Sequence, residues 1–215
     1  MRDNDNLILA VPKGRILKEL RPLMEGAGIS PEAAFDDPGA RQLMFATNVA
    51  NLSIIRVRSF DVATFVAFGA AHMGIAGNDV LMEFDYTEIY APLDLGVGRC
   101  RLVVAEPAAM VKDDDPSRWS HVRVATKYPV CALQHYRAKG IQPDIIPLFG
   151  SVELGPITGL ADQIVDLVES GETLRQNALI EVETLFDGTD LWFGPQAQIG
   201  GQAVGLAWDT TLPRD

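Results

Sequence analysis

The sequence predicts an α/β protein built as two lobes. Three observations carry this. Short runs rich in Val, Ile and Leu alternate with longer amphipathic stretches, and that alternation restarts near residue 95. The composition, 47% hydrophobic and 22% charged over 215 residues, is that of a globular chain with a sizeable core.

Taken in order, "LILAV" (7–11) reads as a strand, and Gly14 to about Glu25 as a helix whose Ile16, Leu17, Leu20, Leu23 and Met24 share a face. Pro22 should kink or shorten it. "RQLMFAT" and "LSIIRVR" are strands joined at an Asn-containing turn, after which Ser59 or Asp61 caps a helix closing at Gly69. "HMGIA" is a short buried strand, and Gly77, Asn78 and Asp79 lead into the helical "DVLMEF". From Gly96 the pattern begins again: strands "RCRLVVAEP" and "HVRVAT", a helix opening at Pro129, and a strand "DIIPLF". Residues 160–169 are expected as an amphipathic helix, with Leu160, Ala161, Ile164, Val165, Leu167 and Val168 on one face and Asp162, Asp166 and Glu169 on another. Ser170, Gly171, Glu172 and Thr173 end it and start another. Two strand-like runs, "LIEVETLF" and "DLWFG", then return the chain to the first lobe, giving lobe I as residues 1–94 plus 180–215 and lobe II as 95–179. The polar run "KDDDPSR" reads as a solvated loop. A cleft between the lobes is the default ligand site.

Several classes are excluded or disfavoured. A net charge of −11 argues against broad nucleic-acid binding, which needs clustered cations to neutralise phosphates. No apolar run is long enough for a membrane span, and the N-terminus lacks a signal-peptide pattern, so a cytoplasmic protein is expected. Cys100 and Cys131 lie in apolar contexts without CxxC spacing and read as buried thiols. Small anions stay open, since a few cations in one cleft bind a polyphosphate against an acidic background, with a divalent metal carried in on it.

Three stretches have the form that phosphate binding requires. In "AVPKGRIL" a strand ends at Lys13, Gly14 and Arg15 and a helix begins, so backbone N–H groups and two cations converge; a plain strand-to-helix turn fits equally well. In "IIRVRSFD", Arg56 and Arg58 stand two apart on a strand and project to one side, where an anion or solvent would relieve their repulsion. In Ser170–Leu174, consecutive N–H groups, a glycine and two hydroxyls suit a phosphate monoester, with Asp166 nearby for sugar hydroxyls or a metal-bound water; a solvated helix corner is the alternative.

Residues 148–183, "LFGSVELGPITGLADQIVDLVESGETLRQNALIEVE", resemble the signature region of the ATP phosphoribosyltransferase family, the first enzyme of histidine biosynthesis. "LAVPKGRI", "IIRVRSFDV", "GAAHMGIAGNDVL", "LDLGVGRCRLVVA" and "RVATKYP" resemble the family's segments in the family's order, so the likeness spans about residues 7–187. It implies a two-lobed fold like type II periplasmic binding proteins with the active site in the interlobe cleft. The implied reaction is attack of adenine N1 of ATP on C1 of phosphoribosyl pyrophosphate, giving phosphoribosyl-ATP and pyrophosphate with Mg2+. The length is similar to the short form, which implies a separate regulatory subunit like histidyl-tRNA synthetase; homo-oligomer contacts are also expected, and the charge and hydropathy lead to neither nucleic acid nor membrane as an expected partner.

Carried over by position, the resemblance gives Ser170, Gly171, Glu172, Thr173 and Leu174 to the 5-phosphate, and Asp166 and Glu153 to the ribose and its surroundings. Lys13, Gly14, Arg15, Arg56, Gly77 and Asn78 from lobe I, with Arg99 and Lys127 from lobe II, would face the other phosphates or ATP. Asp166, Glu153 and Arg15 are the catalytic candidates, and the metal ligands are open. Three positions depart from the family: Glu172 is a carboxylate inside the phosphate loop, Asn78 replaces a commonly basic residue, and His72 a commonly acidic one. "PQAQIGGQAVGLAWDTTLPRD" does not resemble the family's terminal helix and is expected to be a rearranged or poorly ordered end. The rival readings are a catalytically weak member and a small-anion binding module of the same fold.

Overall fold

The computed structural model describes residues 6–37, 39–110 and 121–195. The run "KDDDPSR" lies outside the described residues, as does the C-terminal segment from Gln196, so those two expectations have no structural counterpart. The chain divides into two compact units, the first holding the described residues of Met1–Leu81, Asp85–Gly98 and Thr189–Asp215, the second Met82–Phe84 and Arg99–Gly188.

The first unit is a six-stranded sheet in the order β2-β3-β1-β4-β11-β5. Its strands are β1 (Leu7–Pro12), β2 (Met44–Ala46), β3 (Leu52–Val57), β4 (Met73–Gly77), β5 (Ile89–Asp94) and β11 (Asp190–Pro195), with helices α1 (Ile16–Gly26), α2 (Ser59–Ala67) and the start of α3 (Asn78–Phe84), whose last three residues belong to the second unit. β1 runs parallel to both β3 and β4, because α1 and α2 cross over between them. Leu9, Val11, Leu20, Met24, Phe35, Phe45, Ile54 and Ile75 fill the core. Each such fully buried side chain contributes roughly 1.5–3 kcal/mol. Helix α1 continues past Pro22 to Gly26, so the proline does not shorten it.

The second unit is a five-stranded sheet in the order β10-β6-β9-β7-β8. It comprises β6 (Cys100–Pro107), β7 (His121–Thr126), β8 (Gln142–Pro147), β9 (Gln163–Val168) and β10 (Leu179–Gly188), with α4 (Pro129–Ala138), α5 (Leu154–Ile157) and α6 (Glu172–Gln176). β7 is parallel to β8 and β9, while β6 is antiparallel to β9 and β10. Val103, Ala105, Ala125, Val152, Ile164, Leu174 and Leu179 form its core.

Three expectations change. Residues 163–168 are strand β9, not a helix: Gln163, Ile164 and Val165 are consecutively buried, as a strand covered on both faces requires and a one-sided helix does not. Asp162, expected on a solvated helix face, instead takes the Arg123 guanidinium at 2.6 Å and its backbone N–H at 2.9 Å. Of the two terminal runs, β11 joins the first sheet between β4 and β5, but β10 pairs with β6 from Leu179 to Gly188 and stays in the second. Residues 180–188 therefore do not return to the first lobe.

Candidate functional site

Sheet topology explains where the candidate residues fall. In α/β units, ligand groups gather where parallel strands end and the chain turns into helices. In the first unit, Lys13–Arg15 follows β1, Arg56 stands near the end of β3, and Asn78 follows β4. In the second, Lys127 follows β7 and Ser170–Leu174 follows β9.

Lys13, Gly14 and Arg56 line a cavity of about 440 Å³ together with Leu17, Ala40, Arg41 and Leu43. Gly14 takes a φ of 104°, a conformation that L side chains rarely adopt, and this turns the chain from β1 into α1. The pairing of Arg56 with Arg58 on one strand face is not observed. β3 ends at Val57, and Arg58 is an exposed residue preceding α2. Arg56 is held otherwise: its Nη1 donates to the Phe35 carbonyl at 2.6 Å, and its guanidinium lies 4.8 Å from the Phe45 ring centroid and 5.6 Å from that of Phe35. Packing on the two rings orders this cation at the cavity wall.

Arg41 is the cavity residue that sequence reasoning missed. It stands alone before β2 with no motif around it, and only the fold brings it to Lys13 and Arg56. Arg15, Gly77 and Asn78 do not line this cavity. The Asn78 backbone N–H donates to Thr189 O at 2.9 Å, and a side chain on Gly77 would collide with Asp79, so this corner is tightly built. His72 is a brace rather than a ligand: its Nδ1 accepts the Ile8 N–H at 3.0 Å and its backbone N–H donates to Ile8 O at 2.9 Å.

In the second unit Asp166 sits on β9 opposite Val103 and accepts the Leu167 N–H at 2.9 Å. Burial pushes its carboxyl up to about 6; the Glu153 charge adds to this, and the Leu167 hydrogen bond and Lys127 oppose it. Asp166, Glu153 and Lys127 thus form one electrostatic neighbourhood, whereas Arg99 stands exposed ahead of β6. Among the described residues no group of three or more His, Cys, Asp or Glu is placed to hold a metal ion.

The loop after β9 is a strand–turn–helix junction. Gly171 has a φ of 75°, and Leu174 is anchored in the core, so the turn is pinned from below while Ser170, Glu172 and Thr173 remain exposed. The Glu172 carboxylate accepts from Arg175 Nη2 at 2.6 Å, Arg175 Nε at 2.9 Å and Gln176 Nε2 at 2.6 Å. These bonds hold its carboxyl below the usual range and commit it to its own helix.

Comparison with known proteins gives the family and the fold. The family model for ATP phosphoribosyltransferase matches residues 58–197. The chain is 61% identical over 185 residues to the ATP phosphoribosyltransferase of Rhodospirillum rubrum, covering 86% of this chain and 82% of that one. It is 62% identical over 189 residues to that of Paramagnetospirillum magneticum, covering 88% and 86%. Its fold is similar to that in the ATP phosphoribosyl transferase (HisG:HisZ) complex from Thermotoga maritima, with a TM-score of 0.75, 30% identity and coverage of 91% and 90%. The periplasmic VFT2 domain of Bordetella pertussis BvgS, with a TM-score of 0.53, 14% identity and coverage of 92% and 84%, shares the fold alone.

Proposed function

The chain belongs to the ATP phosphoribosyltransferase family, and from that membership we propose which of its residues carry the reaction. The enzyme transfers the phosphoribosyl group of phosphoribosyl pyrophosphate to N1 of ATP, the first step of histidine biosynthesis. As the bond from C1 to pyrophosphate breaks, positive charge develops on the ribose and negative charge on the departing group. The protein's task is to hold both substrates in line and to place opposite charges at the two ends of that bond.

Ser170–Leu174 takes the 5-phosphate, through the first-turn N–H groups of α6 and the hydroxyls of Ser170 and Thr173. The observation that carries this reading is the commitment of Glu172 to Arg175 and Gln176, which turns the loop's own carboxylate away from an anion bound there. Asp166, anionic above about pH 6, accepts from the ribose hydroxyls and stabilises the positive charge on the sugar, with Glu153 beside it. Lys13, Arg41 and Arg56 receive polyphosphate oxygens in the cavity of the first unit. The family resemblance assigns Arg15, Gly77 and Asn78 in the first unit, and separately Arg99 and Lys127 in the second, to ATP or the leaving pyrophosphate. Adenine N1 carries its own lone pair, so attack requires no general base.

Magnesium, when bound, neutralises the polyphosphate charge. The residues fit an ion that arrives on the substrate, because Asp166 and Glu153 are hard-oxygen acceptors of the kind that receive its water shell. We place the enzyme in the cytoplasm; no helix among the described residues is long and apolar enough to cross a membrane. A regulatory subunit resembling histidyl-tRNA synthetase is the expected partner, supported by the likeness to the Thermotoga maritima complex.

The test is an ultraviolet assay for N1-alkylated adenine with ATP, phosphoribosyl pyrophosphate, Mg2+ and pyrophosphatase, with and without that partner. Product that requires both substrates and increases with the partner supports the assignment. Equal turnover with and without the partner would remove the regulatory subunit, and intact binding without product would leave an anion-binding module. Within the same assay, Thr173→Ala should raise KM for phosphoribosyl pyrophosphate and leave KM for ATP unchanged, and an equal rise for both would overturn the loop assignment.

A further inference from the structure

We propose that Arg101, clamped by Glu181, is a positioning residue that sets the Ser170–Leu174 loop for the sugar phosphate. The inference rests on the reading of that loop as the 5-phosphate site. Arg101 lies on β6 opposite Val168, the last residue of β9, and so stands under the point where the chain leaves the sheet for the loop. Its guanidinium is held from one side by Glu181 of β10: Nε is 3.0 Å from each carboxylate oxygen and Nη2 is 2.7 Å from Oε2. On the other side Nη1 donates to the Glu169 carbonyl at 3.3 Å, and Nη2 lies 3.9 Å from where a Cβ on Gly171 would stand. Glu181 is itself steadied by Thr184 Oγ1, which donates to Oε1 at 2.9 Å.

The planar fork of arginine explains why this residue type is used. One edge meets a carboxylate in a fixed geometry while a remaining N–H reaches the backbone, which an ammonium on a flexible stem does not reproduce. Anchoring the Glu169 carbonyl fixes the direction in which the chain enters the left-handed turn at Gly171, and with it the aim of the N–H groups that follow. The side chains of Arg101 and Glu181 keep 33% and 28% of their exposure, a setting in which an ion pair adds little to global stability. The pair therefore acts on local geometry. Because Arg101 is paired with Glu181, the effect on the phosphate runs through the shape of the loop rather than through direct attraction.

That distinction gives predictions of opposite sign. If Arg101 served as a cation for the phosphate, Glu181→Gln would free it and lower KM for phosphoribosyl pyrophosphate. Under the positioning role the same substitution loosens the loop and raises that KM about five- to tenfold, less than the full loss of a charge-assisted hydrogen bond because the effect reaches the phosphate only through the loop. The experiment measures kcat, both KM values and Tm for Glu181→Gln, Arg101→Lys, the double variant and Thr173→Ala, each as full chain with its regulatory partner. The expected result is a rise in KM for phosphoribosyl pyrophosphate in both single variants, no rescue by lysine, a double variant no worse than the worse single, and unchanged KM for ATP. A lower KM in Glu181→Gln, rescue by lysine, or equal change for both substrates with a fall in Tm would overturn it. If Thr173→Ala raises the KM while the Arg101 and Glu181 variants match wild type, this inference alone fails. If Thr173→Ala is silent as well, the loop assignment fails and takes the inference with it.

Discussion

Glu172 turns its carboxylate along its own helix onto Arg175, with Nη2 2.6 Å from Oε1 and Nε 2.9 Å from Oε2. With the loop proposed to hold the 5-phosphate, an acidic residue in it is tolerable only while it is held away from the anion. Arg175→Ala should release it and raise KM for phosphoribosyl pyrophosphate roughly two- to fivefold at low ionic strength, with the difference shrinking as salt is added. Glu172→Gln should not raise that KM. Initial-rate measurements at two salt concentrations check this, and a salt-independent effect of Arg175→Ala would show that Arg175 acts other than by restraining Glu172.

The loop was legible in the sequence and the strand that carries it was not. Ser-Gly-Glu-Thr after an apolar run marks a turn into a helix whatever precedes it. "QIVDLV" is ambiguous, because a short run with apolar residues at nearly every position fits one helix face or a doubly covered strand. Only the neighbours on both sides, β6 and β7, decide in favour of the strand. The placement of β10 was hidden for a similar reason, since an alternating run announces a strand but not the sheet that it joins. Arg41 reaches the cavity through tertiary contact with no local signal, and the role of Arg56 depends on Phe35 and Phe45, which lie outside its own motif.

Arg56 and Arg41 line one cavity but are held differently, and their variants should separate. Arg56→Ala removes the hydrogen bond to Phe35 O and the contacts with two rings, so it should lower stability by about 1–2 kcal/mol as well as weaken polyphosphate binding. Arg56→Lys should keep part of the binding and little of the stability. Arg41→Ala should weaken binding with a thermal transition close to that of wild type. Calorimetry beside ATP titration checks the pair, and a marked fall in Tm for Arg41→Ala would show that it too is structural.

Asp166 holds its proton up to about pH 6, chiefly through burial. In its proposed role, it is neutral below that value and cannot oppose positive charge on the ribose; above it the carboxylate is available. The logarithm of kcat/KM for phosphoribosyl pyrophosphate should therefore rise with pH through about 6 and level off. Asp166→Asn should lower the plateau and abolish the acid limb. Persistence of the same limb in that variant would assign it to another group.

Asp190 offers a separate pH dependence, in stability. It is the first residue of β11, opposite Gly77, is only 2% exposed, and its Oδ2 finds no hydrogen-bond partner among the described residues. Gly98 leaves the space that Oδ2 occupies. Burial, then the charges of Asp79, Glu19 and Asp94, push its carboxyl up to about 7, and Arg15 opposes them. A folded-state value above the unfolded one, about 3.9, means that the folded protein binds this proton more tightly. The associated stability is complete below about pH 4, declines as the unfolded chain ionises first, and is gone above about pH 7. Asp190→Asn keeps the shape and removes the titration. Its stability relative to wild type should rise from near zero at pH 4 to on the order of 2–4 kcal/mol at pH 8. Denaturant unfolding of both proteins across that range measures the difference, and parallel curves would show that Asp190 ionises at an ordinary value and that β11 docks with its charge in place.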